Sequence, residues 1–375
     1  MSTQPQQRKL IIVGFGPAGV AAAISAYANG YRNIQTIDPT PNPGAGGLNG
    51  VIIDSNSGGD DFVAEYRRNL PEALLLPEAT ELSGVQKPVK LELATKFLRS
   101  AAAYLIEQRI VNHIQEPATK ITVLPNGYQV ATTTDLFEAP MLLVAPGGKE
   151  VLLDELSGRN AWNTFLSKEI LTNSRKGELD NSINSSSRVI IVGNSHSAYS
   201  VADELLKNYP GIKIEIYKRT PTKPYFENAT EALEFGHVVS SHDDVCSDTG
   251  KINRFDGIRG AARELYLKEL APKDNPDINI ESHINPQNSA DLRKIPKGIP
   301  LIQATGLKPR KLPLFNADGT PLEYSTKCES GGYAKLYLEG SNTPLDNLFG
   351  LGICHSRFDG TNVYQKQAGL LLGNR

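Results

Sequence analysis

Cysteine is scarce in this chain. Cys246, Cys328 and Cys354 are the only three in 375 residues, and no two form a CxxC pair. That spacing excludes a dithiol redox centre and a structural zinc built on paired thiolates. An odd, dispersed set is no disulfide framework either, so a reducing cytoplasm is expected, with each thiol small and partly buried. The six histidines show no metal-ligand spacing; His113, His237, His242 and His283 read as ordinary surface or core positions, and no metal is expected. A net positive field is missing too: 39 Lys and Arg against 41 Asp and Glu leave a charge of −2. Nucleic acid and anionic membrane are therefore set aside as partners. Every apolar stretch is broken by Gly or Pro well short of a spanning helix. Residues 1–7 are polar, without the apolar centre of a secretion signal, and read as a disordered lead-in. Trp162 is the single tryptophan and is expected to pack rather than to stack on a ligand.

Glycine, by contrast, is concentrated in two turns about 180 residues apart. Gly14-Phe15-Gly16-Pro17-Ala18-Gly19 follows the apolar run Lys9 to Val13. Gly193-Asn194-Ser195-His196-Ser197-Ala198 follows Arg188 to Val192. Each turn joins a predicted buried strand to a predicted helix, which is the context a dinucleotide-binding turn requires. The first Gly allows a tight bend, the second admits the pyrophosphate, and the third lets helix and strand pack closely. The pyrophosphate then rests on free amides at the positive helix end. The first unit continues as a helix over 17–29 and a strand over 33–37 that ends at Asp38, placed to accept hydrogen bonds from the adenosine ribose. A carboxylate there repels a 2′-phosphate, so this site suits FAD or NAD. In the second turn Ser195 and Ala198 replace two glycines, and Ser195 and Ser197 add hydroxyls. Its second strand, 212–217, ends in Lys218-Arg219, cations that suit the 2′-phosphate of NADPH.

Elsewhere the pattern predicts a Gly-rich loop over 39–61 and an amphipathic helix over 89–110. A hairpin is expected around Pro125-Asn126-Gly127, a buried strand over 140–145, a Ser/Asn-rich linker over 173–187 and a helix over 260–270. Near the end come strands around 301–306 and 348–353 and a short helix over 362–372. No tandem repeat exists beyond the two nucleotide units.

This layout resembles the two-dinucleotide flavoproteins, and within them the flavin-dependent monooxygenases that include N-hydroxylating and Baeyer–Villiger enzymes. The resemblance rests on the two turns and on an ATG-like return segment, Ala304-Thr305-Gly306, with Val144-Ala145-Pro146-Gly147-Gly148 as its earlier counterpart. It covers about residues 9–50, 119–148, 188–220, 301–307 and 346–370. It implies an α/β fold of two Rossmann-like three-layer domains, the second inserted in the first: an FAD domain at 1–150, an NAD(P)H domain at 151–300 and an FAD return segment at 301–375. The implied cofactors are FAD and NADPH, and the implied partners are O2 and a small organic substrate that receives one oxygen atom. The chain departs from the pattern in two places. Gly352 is followed by Ile353 where many flavoproteins have Asp, as N-hydroxylating relatives also tend to lack it, and the FxGxxxHxxx(Y/F) motif is absent.

Pro43-Gly44-Ala45-Gly46-Gly47-Leu48 offers backbone to a flavin or is a plain surface loop; Gly46, Gly47 and Leu48 are its candidate contacts. His196, His355 and Gln365 are the candidates for catalytic contact. Cys354 and His355, adjacent on an extended segment, point to opposite faces and form no dyad. Two rival readings stand beside the monooxygenase: a flavoprotein reductase that passes electrons to a quinone, ferredoxin or other acceptor, and a low-turnover nucleotide sensor.

Overall fold

The computed structural model describes residues 9–373 except 65, 238, 240–243, 247, 248, 255, 272, 274, 276, 277, 285–291, 293, 294, 329–332, 353, 354 and 356–362. The chain divides into two compact units. The first takes 1–49, 57–149 and 308–375; the second takes 50–56 and 150–307.

In the first unit, strand β1 (Lys9–Val13) is followed by helix α1 (Pro17–Ala28) and strand β2 (Asn33–Ile37). Pro17 at the first helical position is preset for a helix start, and Asn29-Gly30 closes it, Gly30 with a positive φ of 86°. Helix α2 spans Leu91–Glu107, and strands β3 (Val111–Ile114) and β4 (Met141–Val144) follow. β4, β1, β2 and β3 lie side by side in parallel register, Leu10 opposite both Ile34 and Met141.

The alternation of β1 sets up three layers. Leu10 and Ile12 face α1 and Phe97, Ala101 and Leu105 of α2. Ile11 and Val13 face the other way, onto Ile121, Tyr128 and Val130 of a small mixed sheet that holds the expected hairpin, 120–131.

In the second unit, strand β5 (Thr164–Leu166) leads to helix α3 (Lys176–Asn184). The linker expected over 173–187 is thus helical in its middle, with Leu179 and Ser182 buried. Strand β6 (Arg188–Val192), helix α4 (His196–Asn208) and strand β7 (Lys213–Lys218) form the second βαβ unit. Helix α5 (Gly260–Leu270), strand β8 (Ile280–Ile284) and strand β9 (Leu301–Gln303) complete it. The five strands run parallel in the order β5-β9-β6-β7-β8. Val189, Ile191, Ile214 and Ile216 pack on α4 and α5, while Ile190 and Val192 pack on Leu156 and Ile299.

β9 belongs here because it pairs with both β5 and β6, which keeps 301–307 in the second unit and shifts the expected return point at 301. Val51 and Ile53 also pack against this core, and Ile52 N–H donates to Leu171 O at 2.9 Å.

Strands β10 (Tyr324–Cys328), β11 (Ala334–Leu338) and β12 (Pro344–Gly350) return to the first sheet, with β12 parallel to β4. Its order becomes β10-β11-β12-β4-β1-β2-β3. Helix α6 (Val363–Gly373) then packs on α1.

Candidate functional site

The two glycine turns share the backbone bonds that hold their first glycine. Gly14 has φ +90°, and a Cβ added there would lie 2.2 Å from the Ala145 carbonyl oxygen. Gly193 has φ +136°, and its added Cβ would lie 2.2 Å from the Ala304 carbonyl oxygen. Gly14 N–H donates to Ile37 O (2.8 Å) and Gly193 N–H to Tyr217 O (2.9 Å). Ala145 N–H donates to Val13 O, and Ala304 N–H to Val192 O, each at 2.7 Å. Each turn is therefore wedged between the carboxyl ends of three parallel strands, where open α/β sheets bind ligands. Beyond each wedge stands a glycine of positive φ with open space around its Cα, Gly147 (+69°) and Gly306 (+86°).

In the first unit, α1 starts at Gly16 with no side-chain cap. Its first amides, Ala18 and Gly19, lack intrahelical partners and are available to an anion. Gly19 is held tight by Gly14, whose carbonyl oxygen would be 2.0 Å from a Cβ on Gly19. Asp38 accepts from Phe15 N–H and Thr40 N–H, both at 2.8 Å. The carboxylate thus braces the turn and is itself half-buried. The 43–48 loop packs against this turn: Gly44 N–H donates to Phe15 O at 2.7 Å, and an added Cβ on Gly16 would be 3.2 Å from the Gly46 Cα. Gly46, Gly47 and Leu48 form one turn of 3₁₀ helix, with Gly47 in open space. Gly352 has φ +100°, and its added Cβ would be 3.3 Å from the Ala18 Cβ. Ile353 lies outside the described residues.

His355 is 5% exposed, and neither ring nitrogen meets a partner among the described residues. Burial, helped by the Lys311 charge, lowers its pKa to about 4. Cys354, its sequence neighbour, lies outside the described residues. Gln365 is buried with its Oε1 accepting from Asn69 Nδ2 (2.9 Å) and its carbonyl from Ser25 Oγ (2.7 Å). That places it as a clasp between α6, α1 and the residues after α1.

In the second unit, Ser195 caps α4 without a side-chain bond and is exposed; Ser197 is half-buried and Ala198 buried. Asn194 Nδ2 donates to Thr220 O at 2.8 Å and to Pro221 O at 3.3 Å, fastening the turn to the segment after β7. His196 Nε2 lies 3.1 Å from Asn56 Nδ2. Burial, then Arg259, lowers the His196 pKa to about 4. Arg219 is exposed at the end of β7, but Lys218 is only 8% exposed. It sits on the face of β7 that carries Ile214 and Ile216, with Nζ 3.4 Å from Thr222 Oγ1 and over the Tyr266 ring. The alternation that exposes Arg219 buries Lys218. Of the two cations expected to meet a 2′-phosphate, only Arg219 is exposed at this strand end. Thr305 Oγ1 accepts from Gln303 Nε2 (2.9 Å), and the same side chain ties Val151 and Leu153 to β9.

Asn56 and Gln303 carry no motif, and only their folded neighbours reveal them; Asn194 lies within the second turn, but its bonds to Thr220 and Pro221 show only in the fold. Trp162 is 67% exposed, against the packing expected of it. Cys328 is exposed and Cys246 half-buried. His113 on β3 meets Thr36 Oγ1 at 2.9 Å, His283 on β8 stands beside Glu215 and Glu281, and His242 lies outside the described residues. No helix among the described residues is long and apolar enough to cross a membrane.

No family profile matches the chain. In sequence it is similar to the CMP-5′-(3-aminopropyl)phosphonate hydroxylase of Streptomyces rubellomurinus, at 24% identity over 96% of this chain and 95% of the relative. In structure it is similar to the ornithine N-hydroxylase of Kutzneria sp. 744, solved with reduced FAD, NADP+ and L-ornithine (TM-score 0.60, 14% identity, 97% of each chain). A bacillithiol disulfide reductase of Staphylococcus aureus aligns as well (TM-score 0.57, 14% identity, 98% of each chain). The fold is that of the two-dinucleotide-binding flavoproteins, Rossmann-like in both units.

Proposed function

We propose that this chain is an FAD- and NADPH-dependent monooxygenase that adds one oxygen atom to the amino nitrogen of a small organic substrate. The observation that carries the reading is the paired construction of the two turns, down to matching hydrogen bonds at Gly14 and Gly193. One chain with two such turns holds two dinucleotides, and electrons pass between them.

The first turn fits FAD. The α1 amides take the diphosphate, Asp38 takes ribose hydroxyls, and the Gly47 and Gly147 backbones leave room for a flat ring system. The second fits NADPH. The α4 amides and the Ser195 and Ser197 hydroxyls take the diphosphate, and Arg219 takes the 2′-phosphate. Bound FAD supplies two-electron chemistry between NADPH and O2; the protein binds, orients and keeps water away. The amine is supported by the names of the relatives, which act on ornithine and on an aminopropyl phosphonate. The absence of a CxxC pair speaks against the disulfide reductase chemistry that the same fold hosts.

The test follows the visible spectrum of the FAD-loaded protein without oxygen, on adding NADPH, and on admitting air with a panel of small amines. Flavin bleaching by NADPH and a product heavier by one oxygen atom support the proposal. A reduced acceptor without oxygenated product supports the reductase reading instead, and no bleaching supports the sensor.

A further inference from the structure

We infer that His355 hydrogen-bonds the isoalloxazine ring of FAD, an assignment that rests on the flavin reading above. A buried imidazole with neither nitrogen paired is costly, and native proteins rarely keep one without a use. Among the described residues His355 is such a group.

Its surroundings show why it stays. An added Cβ on Gly350 would lie 2.9 Å from the His355 Cβ and 3.2 Å from its Nδ1, so the glycine at the end of β12 makes room for the ring. His355 N–H donates to Gly352 O at 2.9 Å, which ties the residue to the stretch that reaches Ala18 at the start of α1.

The sheet order gives the ligand its direction. Asp38, at the end of β2, marks the adenosine ribose, and α1 marks the diphosphate. The other end of the dinucleotide then runs across β1 toward the carboxyl ends of β4 and β12, where His355 stands. Burial and the Lys311 charge keep the imidazole neutral at neutral pH. It then offers one donor and one acceptor. The two ring nitrogens point away from each other, so the pyrimidine edge of a flavin, an N–H between two carbonyls, pairs with one of them, as donor or as acceptor.

The test uses the full chain stripped of flavin and titrated with FAD. His355→Leu is expected to weaken FAD binding about tenfold, the worth of one hydrogen bond. Its flavin-free form is expected to melt at or above the wild-type temperature, because an unpaired buried polar group has gone. His355→Asn, which keeps a donor and an acceptor, is expected to bind FAD within about threefold of wild type. Two results overturn the inference alone: a Leu variant that binds FAD with wild-type affinity and spectrum, or one that loses affinity and flavin-free stability together. A wild-type protein that stays colourless in excess FAD overturns the flavin reading, and this assignment with it.

Discussion

Gly14 and Gly193 tolerate no side chain, for two reasons that add. Each has a positive φ, and at each a methyl group would press on a carbonyl oxygen at 2.2 Å. Gly14→Ala and Gly193→Ala are each expected to cost on the order of 3 kcal/mol. Gly14→Ala should reduce flavin content and Gly193→Ala should reduce NADP+ affinity, as read by absorbance and by ligand titration. The pair Lys218 and Arg219 separates charge from exposure. Arg219→Ala is expected to cut the preference for NADPH over NADH about tenfold or more. Lys218→Met is expected to leave that preference intact, since Lys218 lies in the core beneath the sheet. Equal effects on the ratio would count against both assignments. Both glycines were legible from composition and spacing alone. The Lys218–Arg219 split needed the strand's register, which two adjacent cations do not reveal.

Helices α1, α4 and α5 were legible to within a residue or so, because Gly and Pro punctuate their ends; α1 is buried along nearly its whole length, from Ala18 to Ala26. Helix α3 was hidden by its composition. Its Ser and Asn residues favour turns when read locally, while the burial of Leu179 comes from tertiary structure. Helix α6 raises a different question, since Gln365 reads as a candidate for chemistry and folds as a clasp. Gln365→Leu is expected to cost about 1 kcal/mol through its lost bond to Asn69. Turnover per bound flavin should not change; a fall in that rate at constant flavin content would restore a chemical role.

The acid side of the stability curve belongs to the folded protein as a whole, and two imidazoles shape it. His196 and His355 both titrate near 4 when folded, against an ordinary value of 6.5. Between those values the unfolded chain binds more protons, so stability falls as pH drops from 6.5 toward 4. Each group contributes up to roughly 3 kcal/mol to that fall. Urea midpoints at pH 7, 5 and 4 check this, and His355→Leu should flatten the curve within that window. The two-unit organisation was legible from the repeated turn. The seven residues of Gly50–Asn56 were not, because Val51, Ile53 and Asn56 find their partners more than a hundred residues away. Those residues leave the chain four crossings between its units, at 49/50, 56/57, 149/150 and 307/308. Anyone grafting a relative's second unit onto this scaffold at 150 and 307 would leave part of that unit's packing behind, and a working chimera must exchange both blocks.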